Sequence, residues 1–412
     1  MRTTKLWGRL LGVEGFVLDD VHFDNEASAV IVSLHPKARE QKRCPHCHKR
    51  CPGYDAGSGR RRWRALDAGV ALVFIEAAAP RIKCAEHGVV VAAVPWARHD
   101  TGFTRSLEDQ TAWLVARTDK TTVSTLMRIS WRTVGRIIER VGDELSAKFD
   151  RFANLKRIGV DEVAYRKGHR YLSVVVDHDS GRLLWAHEGK DKAAFEKFFD
   201  ELGPERAAQI ELASCDASGR YLEVLHSRCP NATICLDPFH VVKWATSALD
   251  DVRRVVWNSL RRDGQTELAS SLKRSRYALW KNPENLTDKQ GAKLALIAKV
   301  NKPLYRAYLM KEQLREVFKL KGRPGIKLLD KWCAWAQRSR LRPFVDLAAS
   351  IRAHRGGIVA ALEHGLSNAR TEAANSKLRL ITRLAFGFHS AKPMIAMAML
   401  RLGGLCPELP GR

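Results

Sequence analysis

At 412 residues the chain is too long for one ordinary core, so two or three domains are expected. Apolar residues make up 45% and charged residues 28%, a globular balance, and no apolar run reaches the length of a membrane span. Lys+Arg number 70 against 45 Asp+Glu, a formal charge of +25, which points to a polyanionic partner. Nucleic acid fits better than a membrane surface, because the basic residues are spread along the chain rather than gathered beside an amphipathic anchor.

The opening stretch "MRTTKLWGRLLGVEGFVLDD" alternates charge with apolar residues and lacks the uninterrupted core and cleavage site of a signal peptide. Nine cysteines, an odd number in a long chain, fit reduced thiols and a metal site better than a disulfide framework. The expectation is a cytoplasmic, nucleoid-associated protein with no membrane contact.

Residues 1–100 read as short strands ("AVIVSLH", "VALVFIEAAAP") around cysteine and arginine clusters. "CPHC" supplies Cys44 and Cys47, and "RIKCAEHG" supplies Cys84 and His87. Each pair has the two-residue spacing that lets a tight turn aim both ligands at one ion. Together they form a Cys3His set for structural, closed zinc, with His46, His48 and Cys51 as competing ligands nearby. Between the pairs runs "RRRWR", and a zinc ribbon would present its Arg60, Arg61, Arg62 and Arg64 to phosphate.

Residues 101–150 turn helical. "TTVSTLMRIS" and "WRTVGRIIERV" form two helical patterns with a polar break near Ile129–Ser130. Val123, Leu126, Val134, Ile137 and Ile138 can face a shared core. The second helix then leads with Trp131, Arg132, Thr133 and Arg136, the layout of a helix-turn-helix entering the major groove.

Residues 151–250 alternate strand and helix. "RIGVDEVAYRKGHRYLSVVVDHDSGRLLWAHEG" reads as three antiparallel strands turned at Lys167-Gly168 and Asp179-Ser180-Gly181. A helix, a strand ("IELASCDAS"), a helix and a strand ("ATICLD") follow. That order is the order of the ribonuclease-H-like α/β fold. Asp161 lies on the first strand and Asp216 ends the fourth, so in that fold the two meet at the sheet centre. Alternation sends Glu162 to the opposite face. Two converging carboxylates repel unless a cation lies between them, and Mg2+ or Mn2+ with hard oxygen ligands is the expected ion. Asp237 in "CLDPFHVVK" is a rival second acid; with His240 it reads as a pair that orients the site or its substrate.

Residues 251–360 are nearly all helical and basic, with Trp257, Trp280, Trp332 and Trp335 spaced through the region, and 361–412 close the chain. In "SNARTEAANSKLRLITR" Glu372 is a lone acid among basic residues, by itself no more than a solvated ion-pair partner.

With "CPHC", "GVDE", "LDPFHVVKWATSALDDVRR", "YALWKNPENLT" and "LSNARTEAANSKLRLITRLAFGF" in this order, the chain resembles the DDE transposases of bacterial insertion sequences, in the ISL3 group. The resemblance spans nearly the whole chain. It implies a multidomain α+β protein: a zinc ribbon, a helix-turn-helix, and a ribonuclease-H-like α/β catalytic domain interrupted by a long helical insertion. It implies Asp161, Asp216 and Glu372 as catalytic magnesium ligands, with Asn375 supporting them and Lys377 and Arg379 clamping substrate. Zinc would sit on Cys44, Cys47, Cys84 and His87, where the family often has a fourth cysteine. The implied partner is double-stranded DNA, both element ends and target, with at least a homodimer acting on two ends. The rival reading is a non-catalytic DNA-binding regulator derived from a transposase, which predicts the loss of at least one acid.

Overall fold

A computed structural model of the protein describes residues 3–12, 14–385 and 387–411. The chain divides into two compact units, Met1–Asp150 with Arg383–Arg412, and Arg151–Thr382.

The first unit begins with α1 (Thr3–Leu11), β1 (Phe16–Asp24), β2 (Ala29–Pro36), β3 (Gly53–Asp55), β4 (Arg60–Ala68), β5 (Ala71–Ala78), β6 (Arg81–Cys84) and β7 (Gly88–Val91). These strands make two sheets, β1-β2-β5-β4 and β3-β6-β7. The two runs read as strands are β2 and β5, paired in parallel at the centre of the larger sheet. Alternation in β4 buries Trp63 against Trp96, edge to face at 5.6 Å. The arginine run therefore lies in the larger sheet, not in the small sheet that carries the cysteines.

Helices α2 (Arg105–Val115), α3 (Lys120–Met127) and α4 (Trp131–Lys148) follow. Each starts on a side-chain cap: Thr104, Asp119 and Ser130 accept from the N–H groups of Leu107, Thr122 and Thr133. Arg128 turns left-handed at φ 55 to end α3, and Ser124 bonds the Ile129 carbonyl, making the tight break between α3 and α4. A cap contributes about 1 kcal/mol. Burying Val134, Ile137, Ile138 and Val141 contributes about 2 kcal/mol each, so packing decides the position of α4. Leu126, expected in that core, is 61% exposed, since Val123 and Met127 already fill the inward face of α3. The helix Ala391–Leu402 also belongs to this unit, with Arg401 donating to the carbonyls of Val115 and Thr118 at the end of α2. Residues 361–412, expected as one closing part of the catalytic domain, are divided between the two units at Arg383.

The second unit is built on β8 (Arg157–Arg166), β9 (Arg170–Asp177), β10 (Leu183–Glu188), α5 (Lys192–Leu202), α6 (Pro204–Ala207), β11 (Leu212–Cys215), α7 (Gly219–Arg228) and β12 (Thr233–Leu236). Its sheet order is β10-β9-β8-β11-β12, antiparallel on the β10 side and parallel from β8 to β12. The short strand LASC beside β8 is almost wholly buried, while the edge strand TICL is exposed at Thr233 and buried at Cys235 and Leu236. The turns fall where expected, with Gly168 and Gly181 at positive φ.

Helices α8 (Pro238–Arg262), α9 (Thr266–Lys273), α10 (Arg276–Trp280), α11 (Asp288–Val300), α12 (Lys302–Lys319), α13 (Arg323–Arg338), α14 (Arg342–Ala353) and α15 (Arg355–His364) lead to α16 (Ala369–Leu384). They are not a separate body. Trp332, Phe344 and Leu314 share one buried cluster with Val160, Phe195 and Tyr221 of the sheet layer. Gly357 lets α15 close on β12, since a Cβ there would meet Leu236 at 2.7 Å.

Candidate functional site

Register places the acids. Leu212 pairs with Arg157 and Ser214 with Gly159, so two residues further Asp216 stands level with Asp161. Cys215 pairs with Leu236, which sets Asp237 level with Asp216. Three aspartates therefore stand level across three adjacent strands, Asp161 midway along β8 and Asp216 and Asp237 just past the ends of β11 and β12, with neighbouring backbones about 5 Å apart.

Their environments differ. Asp161 Oδ1 accepts from the Glu162 N–H at 2.7 Å and Oδ2 from Asn375 Nδ2 at 2.8 Å. Burial, with the charges of Asp216 and Asp237 adding to it, pushes its carboxyl up to about 6. Asp216 Oδ1 accepts from the Ser218 N–H at 3.0 Å. Asp237 is buried and already engaged: it accepts from the Phe239 N–H at 3.3 Å, the Asn368 N–H at 3.3 Å and His240 Nδ1 at 2.7 Å. That saturation makes Asp237 a strut and favours Asp216 as the second open carboxylate. The bond to Asp237 raises the His240 imidazole above its ordinary value and fixes Nδ1 as the protonated nitrogen.

Glu372 sits in the first turn of α16, half-buried. Burial and then the charge of Asp237 raise its carboxyl, while His240 and Arg379 pull it down. Helix α16 turns Thr371, Ala374, Asn375, Leu378 and Ile381 inward. Asn375 lies on the buried face, where it reaches Asp161. Lys377 and Arg379 are exposed. A second group gathers cysteine and histidine ligands, with all four ligand atoms within 4.8 Å of one another.

That cluster is Cys44, Cys47, Cys84 and His87. "CPHCHK" folds as a knuckle, the Cys44 and His48 N–H groups bonding the Lys49 and Cys44 carbonyls, while Cys84 and His87 flank the β6–β7 turn. Cys47 Sγ lies 3.7 Å from Cys84 Sγ, and His87 Nδ1 lies 3.6 Å from Cys44 Sγ and 3.5 Å from Cys84 Sγ. Tetrahedral zinc with bonds of about 2.3 Å to sulfur and about 2.0 Å to nitrogen requires edges of about 3.8 and 3.5 Å. The donor set fits zinc. Cys51 instead donates to the Lys49 carbonyl, and the His46 ring packs between those of His87 and His99.

Trp131, Arg132 and Arg136 are exposed at the start of α4, and Thr133 bonds Ser130. Lys120 Nζ lies 3.3 Å over the Trp131 ring. Of the arginine run, Arg60 and Arg62 are exposed and share Glu76, each at 2.7 Å, and Arg61 donates to the Thr101 carbonyl. Arg64 is 7% exposed and paired with Asp67, so it is unavailable to phosphate. Arg64 follows Arg60 and Arg62 by alternation, but there the strand is bridged to Phe103 and bonded through its backbone to Gly102 and Thr104.

Sequence reasoning missed two groups. One is the buried hub of Arg98, held by Glu108, Asp109 and Glu144, which ties the segment before α2 to α2 and α4. The other is His178, Ser214 and Asn368 behind the acid row. The "SN" before Glu372 was the available signal for the second.

Comparison with known proteins gives three family models along the chain. A zinc finger of the IS204/IS1001/IS1096/IS1165 transposases matches residues 40–87, a helix-turn-helix domain of transposase family ISL3 matches 92–142, and an ISL3 DDE transposase domain matches 158–398. The transposase of insertion sequence IS1557 from Mycobacterium tuberculosis is 51% identical over 436 aligned residues, covering 100% of this chain and 98% of that protein. The transposase of IS1001 from Bordetella parapertussis is 26% identical over 393 residues, covering 94% and 95%.

Proposed function

Because the chain belongs to the ISL3 family of DDE transposases, we propose that it cuts and joins DNA at the terminal inverted repeats of its own insertion sequence. The observation that carries this reading is the row of carboxylates level across β8, β11 and β12, with the charge of Asp237 felt by Glu372 on α16. The sheet order and the helices between β12 and α16 support a ribonuclease-H-like catalytic domain with a helical insertion.

Asp161, Asp216 and Glu372 would hold Mg2+ or Mn2+. The donor set is oxygen only, and burial together with the neighbouring charges of Asp216 and Asp237 raises Asp161, a cost that a divalent cation relieves. When bound, such ions supply Lewis-acid stabilisation of the attacking and leaving oxygens in phosphodiester cleavage and strand transfer. The chain's own residues do the rest. Asn375 fixes the rotamer of Asp161, Asp237 orients His240 toward the same space, and Lys377 and Arg379 offer charge for the DNA backbone. Zinc on Cys44, Cys47, Cys84 and His87 would hold the small sheet together. Trp131, Arg132, Thr133 and Arg136 would read the element end, with Arg60, Arg61 and Arg62 on its phosphates. Two ends must meet, so a dimer or larger assembly on DNA is expected.

The test is a plasmid carrying cognate ends, incubated with Mg2+ and either the parent or Asp161→Asn. The parent nicks at the ends, and the variant binds the same DNA at the same salt without nicking. Equal cleavage by the variant contradicts the carboxylate site.

A further inference from the structure

Asn368 occupies the junction between the sheet and α16, and it is fully buried. Its carbonyl accepts the Glu372 N–H at 2.7 Å, so it begins the helix on which Glu372 stands. An asparagine in that place ordinarily turns its side chain back to cap the helix. Here the side-chain oxygen instead takes the hydroxyl proton of Ser214 on β11. Ser214, having spent its proton, accepts from His178 Nε2 at 2.7 Å. On the other side, the Asn368 backbone N–H donates to Asp237 Oδ1 at 3.3 Å, and Asp237 holds His240. A buried chain of hydrogen bonds thus runs from His178 through Ser214, Asn368 and Asp237 to His240.

Two further observations mark this seam as positional. Gly159 on β8 faces it, and a Cβ there would stand 2.7 Å from His178 Nε2 and closer still to Thr371 Oγ1. Asn368 Nδ2, Thr371 Oγ1 and Asn375 Oδ1 are buried with no hydrogen-bond partner among the described residues. An unpaired buried polar atom is destabilising, and an apolar seam would avoid that cost. The polar seam does what an apolar one cannot: it fixes the register and rotation of α16 against β11 and α8 through directional bonds.

We propose that Asn368 is a positioning residue which, bonded through Ser214 to β11 and through its backbone to Asp237, sets where Glu372 stands relative to Asp161 and Asp216. This rests on the metal-site reading above. Its effect is exerted through Glu372, so removing Glu372 must remove the effect.

The experiment measures Mn2+ binding to the full chain by electron paramagnetic resonance of the free ion, in parent and Glu372→Gln backgrounds. Ser214→Ala and Asn368→Ala each weaken Mn2+ binding about tenfold in the parent and less than about twofold in the Glu372→Gln background. Ser214→Thr, which keeps the hydroxyl, restores affinity to near the parent and guards against a variant that merely fails to fold. A general loss of structure would weaken both backgrounds alike. Equal weakening in the two backgrounds, or none in the parent, overturns the positioning role and leaves the metal site standing. Mn2+ binding that Glu372→Gln does not weaken overturns both.

Discussion

Burial, aided by the charges of Arg370 and Arg157 and opposed by those of Asp177 and Asp179, holds the His178 imidazole down to about 4. The folded value lies below that of a free histidine, so the unfolded chain takes up the proton first. Stability is therefore fully present above pH 6.5 and falls as the pH drops toward 4, by about 3 kcal/mol at the end of that window. Urea unfolding of the parent at pH 7 and pH 4.5 should show the loss, and His178→Gln should flatten it. The two middle aspartates separate by the same kind of reasoning. Asp237 is a saturated strut, so Asp237→Asn loses the charged bond to His240 and destabilises the fold by about 2 kcal/mol, read as a lower melting temperature. Asp216→Asn leaves the melting temperature unchanged and abolishes cleavage. The opposite pattern would exchange their roles. From sequence the two aspartates were hard to rank, because both end a strand; what distinguishes them is the donors each one meets, and those come from Asn368 and the start of α8.

At the scale of elements, glycines show which helix contacts are tight. Gly159→Ala forces a methyl group into Thr371 and His178, so α16 must lift from β8; a loss of about 1–3 kcal/mol is expected. Gly135→Ala meets only the far end of Lys120, which can swing aside, and should be nearly neutral. Thermal melts of the two variants check the contrast. For the helix pair, Arg132→Ala and Arg136→Ala should each reduce the salt dependence of DNA binding by about one unit of slope if each neutralises a phosphate. The α4 stripe was legible because Val134, Ile137 and Ile138 repeat at helical spacing, and Val141 extends it. Leu126 was not, because in the two-turn helix α3 a single apolar residue fits either face and only packing chooses. The inward turn of Asn375 was equally hidden: periodicity counts it as polar, while the buried carboxylate of Asp161 draws it in.

At the scale of the whole molecule, the strand and helix order of the second unit was readable from alternation and turn residues, and the cysteine spacing announced the Cys3His cluster. The division into units was not readable. Nothing local in 383–412 signals that Arg401 caps the carbonyl end of α2, since that docking joins residues far apart in sequence. Nor does composition reveal that helices α8–α15 share the core of the sheet. Zinc removal tests the partition. Chelation, or Cys44→Ser, should lower the melting transition of the first unit and leave that of the second in place, as followed by calorimetry. The surplus of +25 spreads over the chain, and no described helix is long and apolar enough to cross a membrane.

The most direct test of the central claim, that these carboxylates hold the metal that cuts element-end DNA, is a change of ligand softness at Asp216. Asp216→Cys places a thiolate in the row, which Mg2+ binds poorly and Mn2+ accepts more readily. The account predicts that this variant fails to nick cognate-end DNA in Mg2+ and regains nicking in Mn2+. Undiminished cleavage by Asp216→Cys in Mg2+ would contradict it.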